Sequence, residues 1–328
     1  MHAGSSDLRC ASMSDLERAV NAVIRDCLGV GEGEGVVVVC NPATQRLAER
    51  LRAEAEGVGA EAVLAVFAER EQHGVEPPET VAAAMLRADV VLAPTVQSLS
   101  HTAARKAATD GGARVATLPG VTEEMLARVM SADMAALRRR GHVVADILNA
   151  GSEARITCAK GSDLTLTIEG REAIPDNGEL TDPGAFGNLP CGEGFVSPRH
   201  DAGGGTLFVD GTIASIGIPD EPVELRVEDG ALVDATGEMG AELLRQLRAA
   251  GPDGHRVAEL GVGTNERAVL TGELLEDEKI LGTVHVAFGA SAGIGGEIQV
   301  PVHLDCVVME PTLTVDGREV IREGELLV

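Results

Sequence analysis

Five residues in the second half of the chain carry side chains that could bind divalent metal. Glu193 lies in Leu189-Pro190-Cys191-Gly192-Glu193, and Glu259 in Ala258-Glu259-Leu260-Gly261-Val262-Gly263-Thr264-Asn265. His285 lies in Gly282-Thr283-Val284-His285-Val286-Ala287, and His303 and Asp305 in Val302-His303-Leu304-Asp305. On a strand, positions two apart point to the same face, so His303 and Asp305 could hold one ion together. Their run is apolar, with Val300 and Val302 before it and Val307 and Val308 after it. A charge in such a setting must be paired or metal-bound.

Each residue has a bland alternative. His285 could be a neutral core imidazole on a backbone carbonyl, Glu259 a strand or helix end facing water, and Glu193 an exposed loop acid. Four of the five fall between Glu259 and Asp305, which favours a shared purpose. Carboxylates and imidazoles without a required thiolate suit Zn²⁺, Co²⁺ or Mn²⁺, and also Fe²⁺. A carboxylate bridging two ions about 3.5–4 Å apart would make a hydrolytic centre. A His-His-Asp triad with open positions would suit an Fe²⁺ oxygenase.

The elements that must position these residues divide the chain in two. Over residues 1–150, helices and strands alternate. Ser14–Cys27 has helical apolar spacing, with Ser14 as N-cap. Val36–Val39 is a β-branched run typical of a parallel strand buried on both faces. Helices over Thr44–Gly57, Pro78–Arg87, Ser100–Asp110 and Thr122–Leu148 (one or two helices) alternate with strands at Ala62–Phe67, Val90–Ala93 and Ala113–Leu118. This rhythm predicts a doubly wound α/β domain. Gly31–Gly35 precedes the first strand, so it reads as a turn and not as a dinucleotide fingerprint. Cys40-Asn41-Pro42-Ala43-Thr44 falls at a strand end, where α/β sheets often take ligands.

Residues 151–328 read as a mostly β (α+β), partly barrel-like metal-binding domain. Strands are expected at Arg155–Ala159, Asp163–Glu169, Gly205–Val209, Glu221–Val227, Ala231–Ala235, Thr312–Val315 and Arg318–Ile321. Glu228-Asp229-Gly230 is a hairpin turn, and Gly240–Ala250 a helical interlude.

Composition bounds the function. The 328 residues are 44% hydrophobic, enough for full cores, with five Phe and no Trp or Tyr. The formal net charge of −25 repels phosphate backbones, and aromatic stacking platforms are scarce, so nucleic-acid binding is not expected. Six scattered cysteines (Cys10, Cys27, Cys40, Cys158, Cys191, Cys306) lack CxxC spacing and fit reduced thiols in a cytoplasmic protein. No apolar run approaches roughly 18 residues, so no membrane span is expected. Residues 1–12 read as a loose leader, with Met13 as a second start.

The motifs resemble the aminopeptidase T family of metallopeptidases. The matching segments are Asn188–Glu193, Ala258–Asn265, Glu276–Gly289, His303-Leu304-Asp305 and Gly161-Ser162-Asp163-Leu164. The resemblance implies an N-terminal α/β domain, a C-terminal domain with two metal ions, and a homodimer. It implies Glu193, Glu259, His285, His303 and Asp305 as ligands, with Glu259 as the catalytic bridging carboxylate. It also implies release of an N-terminal amino acid from a peptide or small amide. Asp163 and His200 become candidates for substrate contact. Peptidases of this family use a Tyr shortly after the residue matching His285. Here the segment reads Ala287-Phe288-Gly289-Ala290-Ser291, leaving Ser291, a backbone amide or a metal ion to replace it. The same superfamily contains 2,5-dihydroxypyridine 5,6-dioxygenases, to which the chain is similar at His285, His303 and Asp305. Those enzymes hold one Fe²⁺ with two His and one Asp. The expectation is an aminopeptidase-like hydrolase, with the dioxygenase and a non-catalytic metal-stabilised dimer as alternatives.

Overall fold

The β-branched run Val36–Val39 forms most of strand β1 (Gly35–Cys40) in the computed structural model, which describes residues 15–328. The expected leader, the Met13 start and the Ser14 cap lie outside the described residues. Residues 15–21 are helical (α1) and run into a π-helical turn at Ala22–Cys27.

The chain divides into two compact units, the first running to Met134 and including Gly178–Cys191. In this unit β1 lies between β2 (Glu61–Val66) and β3 (Val90–Ala93), followed by β4 (Arg114–Thr117), all parallel. Burial of Val36 to Cys40 is what a central parallel strand requires. Helices α2 (Gln45–Gly57), α3 (Glu79–Met85), α4 (Ala103–Asp110) and α5 (Glu123–Val129) alternate with the strands. The helix expected from Ser100 begins at Ala103, because Thr102 caps it by accepting from the Arg105 amide. The expected Thr122–Leu148 segment is two helices, α5 and α6 (Met134–Ala150), with Thr122 capping the first. The short strand β8 (Phe186–Asn188) adds to β4 in parallel. Nothing in three residues containing a glycine signals that pairing.

The second unit comprises Ala135–Asn177 and Gly192–Val328. It has an eight-stranded sheet built from β5 (Glu153–Thr157), β6 (Asp163–Thr167), β10 (Gly204–Val209), β11 (Val223–Glu228), β12 (Ala231–Ala235), β16 (Thr312–Val315), β17 (Arg318–Arg322) and β18 (Glu325–Leu326). At the β11–β12 turn Asp229 and Gly230 both have positive φ, the geometry a tight hairpin demands. A second sheet runs in the order β15-β14-β13-β9-β7. Its strands are β7 (Ala173–Asp176), β9 (Glu193–Val196), β13 (Val257–Gly263), β14 (Val284–Gly289) and β15 (His303–Val308), all antiparallel to their neighbours.

Two open sheets therefore stand where a partly barrel-like arrangement was expected. Leu260, Val262, Val284, Val286, Phe288, Leu304, Cys306 and Val308 of the five-stranded sheet share one core with Ile156, Leu164, Leu207, Leu225 and Leu313 of the eight-stranded sheet. The alternation that sends these residues inward sends their neighbours to the opposite face. Those neighbours are Glu259, His285, His303 and Asp305. The helix expected at Gly240–Ala250 spans Gly237–Ala249 (α7) and contributes Leu243, Leu244 and Leu247 to this core. Among the described residues, no helix is long and apolar enough to cross a membrane.

Phe288 is fully buried. Its replacement by Ala is expected to destabilise the protein by about 3–5 kcal/mol, read as a lowered urea midpoint with an unchanged slope.

Candidate metal centre

Strand register assembles the site. Across the five-stranded sheet, Asp176 pairs with Glu193, Glu193 with Gly263, and His285 with Gly261. Glu259 and Asp305 both lie opposite Ala287, and His303 lies opposite Gly289. Large polar side chains thus alternate with Gly261, Gly263, Ala287 and Gly289 on one face. The small residues create the room: a Cβ on Gly261 would stand 2.0 Å from His285 Nε2. The imidazole therefore lies across β13 and reaches carboxylates on both β9 and β13.

His285 Nε2 is 3.0 Å from Glu193 Oε2 and 3.3 Å from Glu259 Oε1. His303 Nε2 is 3.2 Å from Glu259 Oε2 and 3.4 Å from Asp305 Oδ1. Possible ligand atoms of Glu193, Glu259 and His285 lie within 4.8 Å of one another, as do those of Glu259, His303 and Asp305 and those of Glu278, His285 and Asp305. All five residues singled out from the sequence are thus brought together. The four from β13, β14 and β15 share one sheet face, and Glu193 extends it on β9.

Three members were missed: Lys279, Glu278 and Asp176. Lys279 is fully buried, with Nζ 2.5 Å from Glu193 Oε1, 2.5 Å from Glu278 Oε1 and 3.8 Å from Asp176 Oδ2. It follows the short helix α8 (Leu274–Asp277), in a run of charges that reads as a solvated loop. The neighbouring acids are structural. Asp277 accepts from the amides of Thr271 and Gly272 and from the Thr271 and Thr212 hydroxyls. Glu276 accepts from the Val269 amide.

The other two candidates stand apart from this constellation. Asp163 is exposed and bound bidentately by Arg155 at 2.7 and 2.9 Å, a cross-strand ion pair. His200 borders a surface hollow with Glu169, Arg171, Arg199, Asp201 and Glu297. Ser291, considered as a replacement for Tyr, is buried, and its hydroxyl accepts from the Ile298 amide to close a loop.

Electrostatics follow from burial and pairing. Burial pushes Glu193 up, but Lys279 and His285 outweigh it and hold the carboxyl below its usual range. Burial opposes ionisation of Glu259 likewise, and both imidazoles bring it down. Asp305 is raised by burial and lowered further by His303. Burial lowers both imidazoles, yet Glu193 and Glu259 lift His285 well above its ordinary value, and Asp305 and Glu259 lift His303. Burial carries Glu278 up to about 8 despite Lys279. The face therefore attracts positive charge strongly.

Such a donor set fits a divalent metal ion. The His303 Nδ1 lies 2.6 Å from the Ala290 carbonyl, which fixes Nδ1 as the protonated atom and turns Nε2 toward the carboxylates. Glu193 Oε2 is buried and makes no hydrogen bond of proper geometry, although His285 Nε2 is near.

Two outcomes test this geometry. Gly261→Ala is expected to weaken Mn²⁺ affinity about 10–100-fold, measured by equilibrium dialysis on protein whose circular dichroism is unchanged. In the metal-free protein both imidazoles hold protons at neutral pH, and a metal must expel them. Affinity should therefore rise with pH, by about 100-fold per pH unit if two protons leave, measured by chelator competition on either side of neutrality.

Comparison with known proteins bears on the chemistries the donors allow. The family model described as 2,5-dihydroxypyridine 5,6-dioxygenase matches residues 15–328. A curated 2,5-dihydroxypyridine 5,6-dioxygenase from Pseudomonas putida KT2440 is 24% identical over 220 residues, covering 62% of this chain and 62% of that relative's length. The solved structure of a 2,5-dihydroxypyridine dioxygenase from the same organism has a TM-score of 0.84 at 20% identity, covering 95% of this chain and 97% of the other. Wild-type AmpT from Thermus thermophilus has a TM-score of 0.72 at 20% identity, covering 96% and 100%. Both likenesses show the mixed α/β fold with strand-rich sheets. The expected aminopeptidase-like hydrolase is overturned, since the family match is to the 2,5-dihydroxypyridine 5,6-dioxygenases and the likeness to AmpT is one of fold alone. Over nearly its whole length, this chain belongs to the 2,5-dihydroxypyridine 5,6-dioxygenase family.

Proposed function

We propose that this protein is a ring-cleaving dioxygenase acting on an electron-rich dihydroxypyridine, with one Fe²⁺ held by His285, His303 and Asp305. The observation that carries the reading is a set of two imidazoles and an aspartate, His285 and Asp305 buried and His303 nearly so, with Asp305 within ligand reach of each imidazole. Two His and one carboxylate with open positions are the donors of non-haem Fe²⁺ oxygenases. Membership of the family supports the substrate class.

When bound, Fe²⁺ would supply the redox chemistry that lets dioxygen react with the ring. The residues do the rest. His303 commits its Nδ1–H to the Ala290 carbonyl, which leaves Nε2 as the nitrogen a metal would take once its proton is displaced. Glu259 lies beside both imidazoles but outside the triad, placing a carboxylate where a ring hydroxyl can surrender its proton. Phe195 is half-buried on the same sheet face, in register with Gly261 and His285, and offers an apolar surface to a flat ring. Opening the C5–C6 bond with both oxygen atoms retained in the product needs no external reductant.

Anaerobically purified protein reconstituted with Fe²⁺ should consume one O₂ per 2,5-dihydroxypyridine in an oxygen electrode. His303→Ala and Asp305→Ala should fall below about one hundredth of that rate through loss of iron. Glu259→Gln should keep iron and lose about 10²–10⁴-fold in kcat. Iron-loaded protein that takes up no oxygen with any dihydroxypyridine would overturn the reading.

A further inference from the structure

We propose that the Lys279 ammonium fixes the nuclearity of the centre by occupying the position a second metal ion would need. The inference deepens the one-metal reading above and rests on it.

By composition the site holds donors for two ions. Glu259 belongs both to the group with His303 and Asp305 and to the group with Glu193 and His285, which is the placement of a bridging carboxylate. The two halves differ in what neutralises them. Among the described residues, Glu259 and Asp305 form ion pairs with imidazoles alone. An imidazole nitrogen can itself be a metal ligand. Around Glu193 the counter-charge includes Lys279 beside His285, and the Lys279 Nζ is shared with Glu278 and Asp176. An ammonium is donor-only and offers a metal nothing.

This lysine is built in. Its side chain is fully buried. Its amide donates to the Glu276 carbonyl, and its own carbonyl accepts from the Asn265 amide. The preceding turn is held by Asp277, through four hydrogen bonds. The ammonium therefore cannot withdraw without unmaking the turn. A second dication beside Glu193 would meet a fixed positive charge and a carboxylate oxygen already engaged at 2.5 Å. Without that charge, Glu193, Glu278, Asp176 and His285 would form an oxygen-rich site of ordinary divalent type.

The test is Mn²⁺ stoichiometry after equilibrium dialysis, with paramagnetic resonance to detect exchange coupling between neighbouring ions. Wild-type protein and Lys279→Arg should bind one ion per chain, with an uncoupled spectrum. Lys279→Ala should bind two and show coupling. Lys279→Gln, which keeps a hydrogen-bond donor without charge, should do the same and serves if the alanine variant does not fold. If neither folds alone, refolding in Mn²⁺ should recover protein with two ions. Two ions in wild type, or one in a folded or refolded neutral variant, overturns the inference. The reading on which it rests fails differently, by absence of oxygen uptake in iron-loaded wild type whatever the Mn²⁺ count.

Discussion

Five carboxylates lie buried at one sheet face and its adjoining turn, and they cannot remain there without positive charge. Asp176, Glu193, Glu259, Glu278 and Asp305 are each less than a tenth exposed, and Lys279 is a permanently charged cation paired with Asp176, Glu193 and Glu278. Removing ionised carboxylates from water costs several kcal/mol each unless cations and hydrogen bonds offset it. Lys279 compensates one side, and Glu278 escapes by keeping its proton to about pH 8. Beside Glu259 and Asp305 the positive charge is carried by His285 and His303, whose protons a divalent ion would displace. The apolar core on the reverse of the sheet makes the demand possible, because it holds the strands in register whether or not the charged face is satisfied.

The glycines belong to the same account. Gly261 has no side chain because an imidazole crosses it, and Gly263 because a Cβ there would stand 2.0 Å from the Ile280 carbonyl. That second contact ties β13 to the turn bearing Lys279. Ala287 separates Glu259 from Asp305 within one row of the sheet. The spacing of small residues and the placement of charge are thus one pattern.

Much of this was legible in the sequence. His303 and Asp305 interrupt an apolar alternation, and His285 does the same, so their common face follows from strand periodicity alone. The β-branched run at Val36–Val39 announced the parallel sheet in the same way. What escaped had no local signal. Lys279 stands after three acids and is indistinguishable by spacing from a solvated turn; its burial arises from contacts with β7 and β9, roughly a hundred positions earlier in the chain. Phe186–Asn188 pairs with β4 only after the chain has built three other strands. Asp163 stood out through the Gly161-Ser162-Asp163-Leu164 segment, but it is engaged by Arg155 diagonally across the hairpin, Asp163 lying opposite Thr157 and Arg155 opposite Thr165. The chemistry was misread for a deeper reason: carboxylates and imidazoles serve hydrolytic and oxidative centres alike, and a fold hosts both. The absence of Tyr was the residue-level sign that pointed away from the peptidases.

The claim on which everything turns is that a divalent ion sits among His285, His303 and Asp305. Anomalous diffraction at the iron edge, on crystals grown anaerobically with Fe²⁺, tests it directly. The account predicts a single anomalous peak within bonding distance of both Nε2 atoms and the Asp305 carboxylate. A peak held by Glu193 and Glu278 instead, or no peak in crystals whose solution counterpart contains iron, would contradict it.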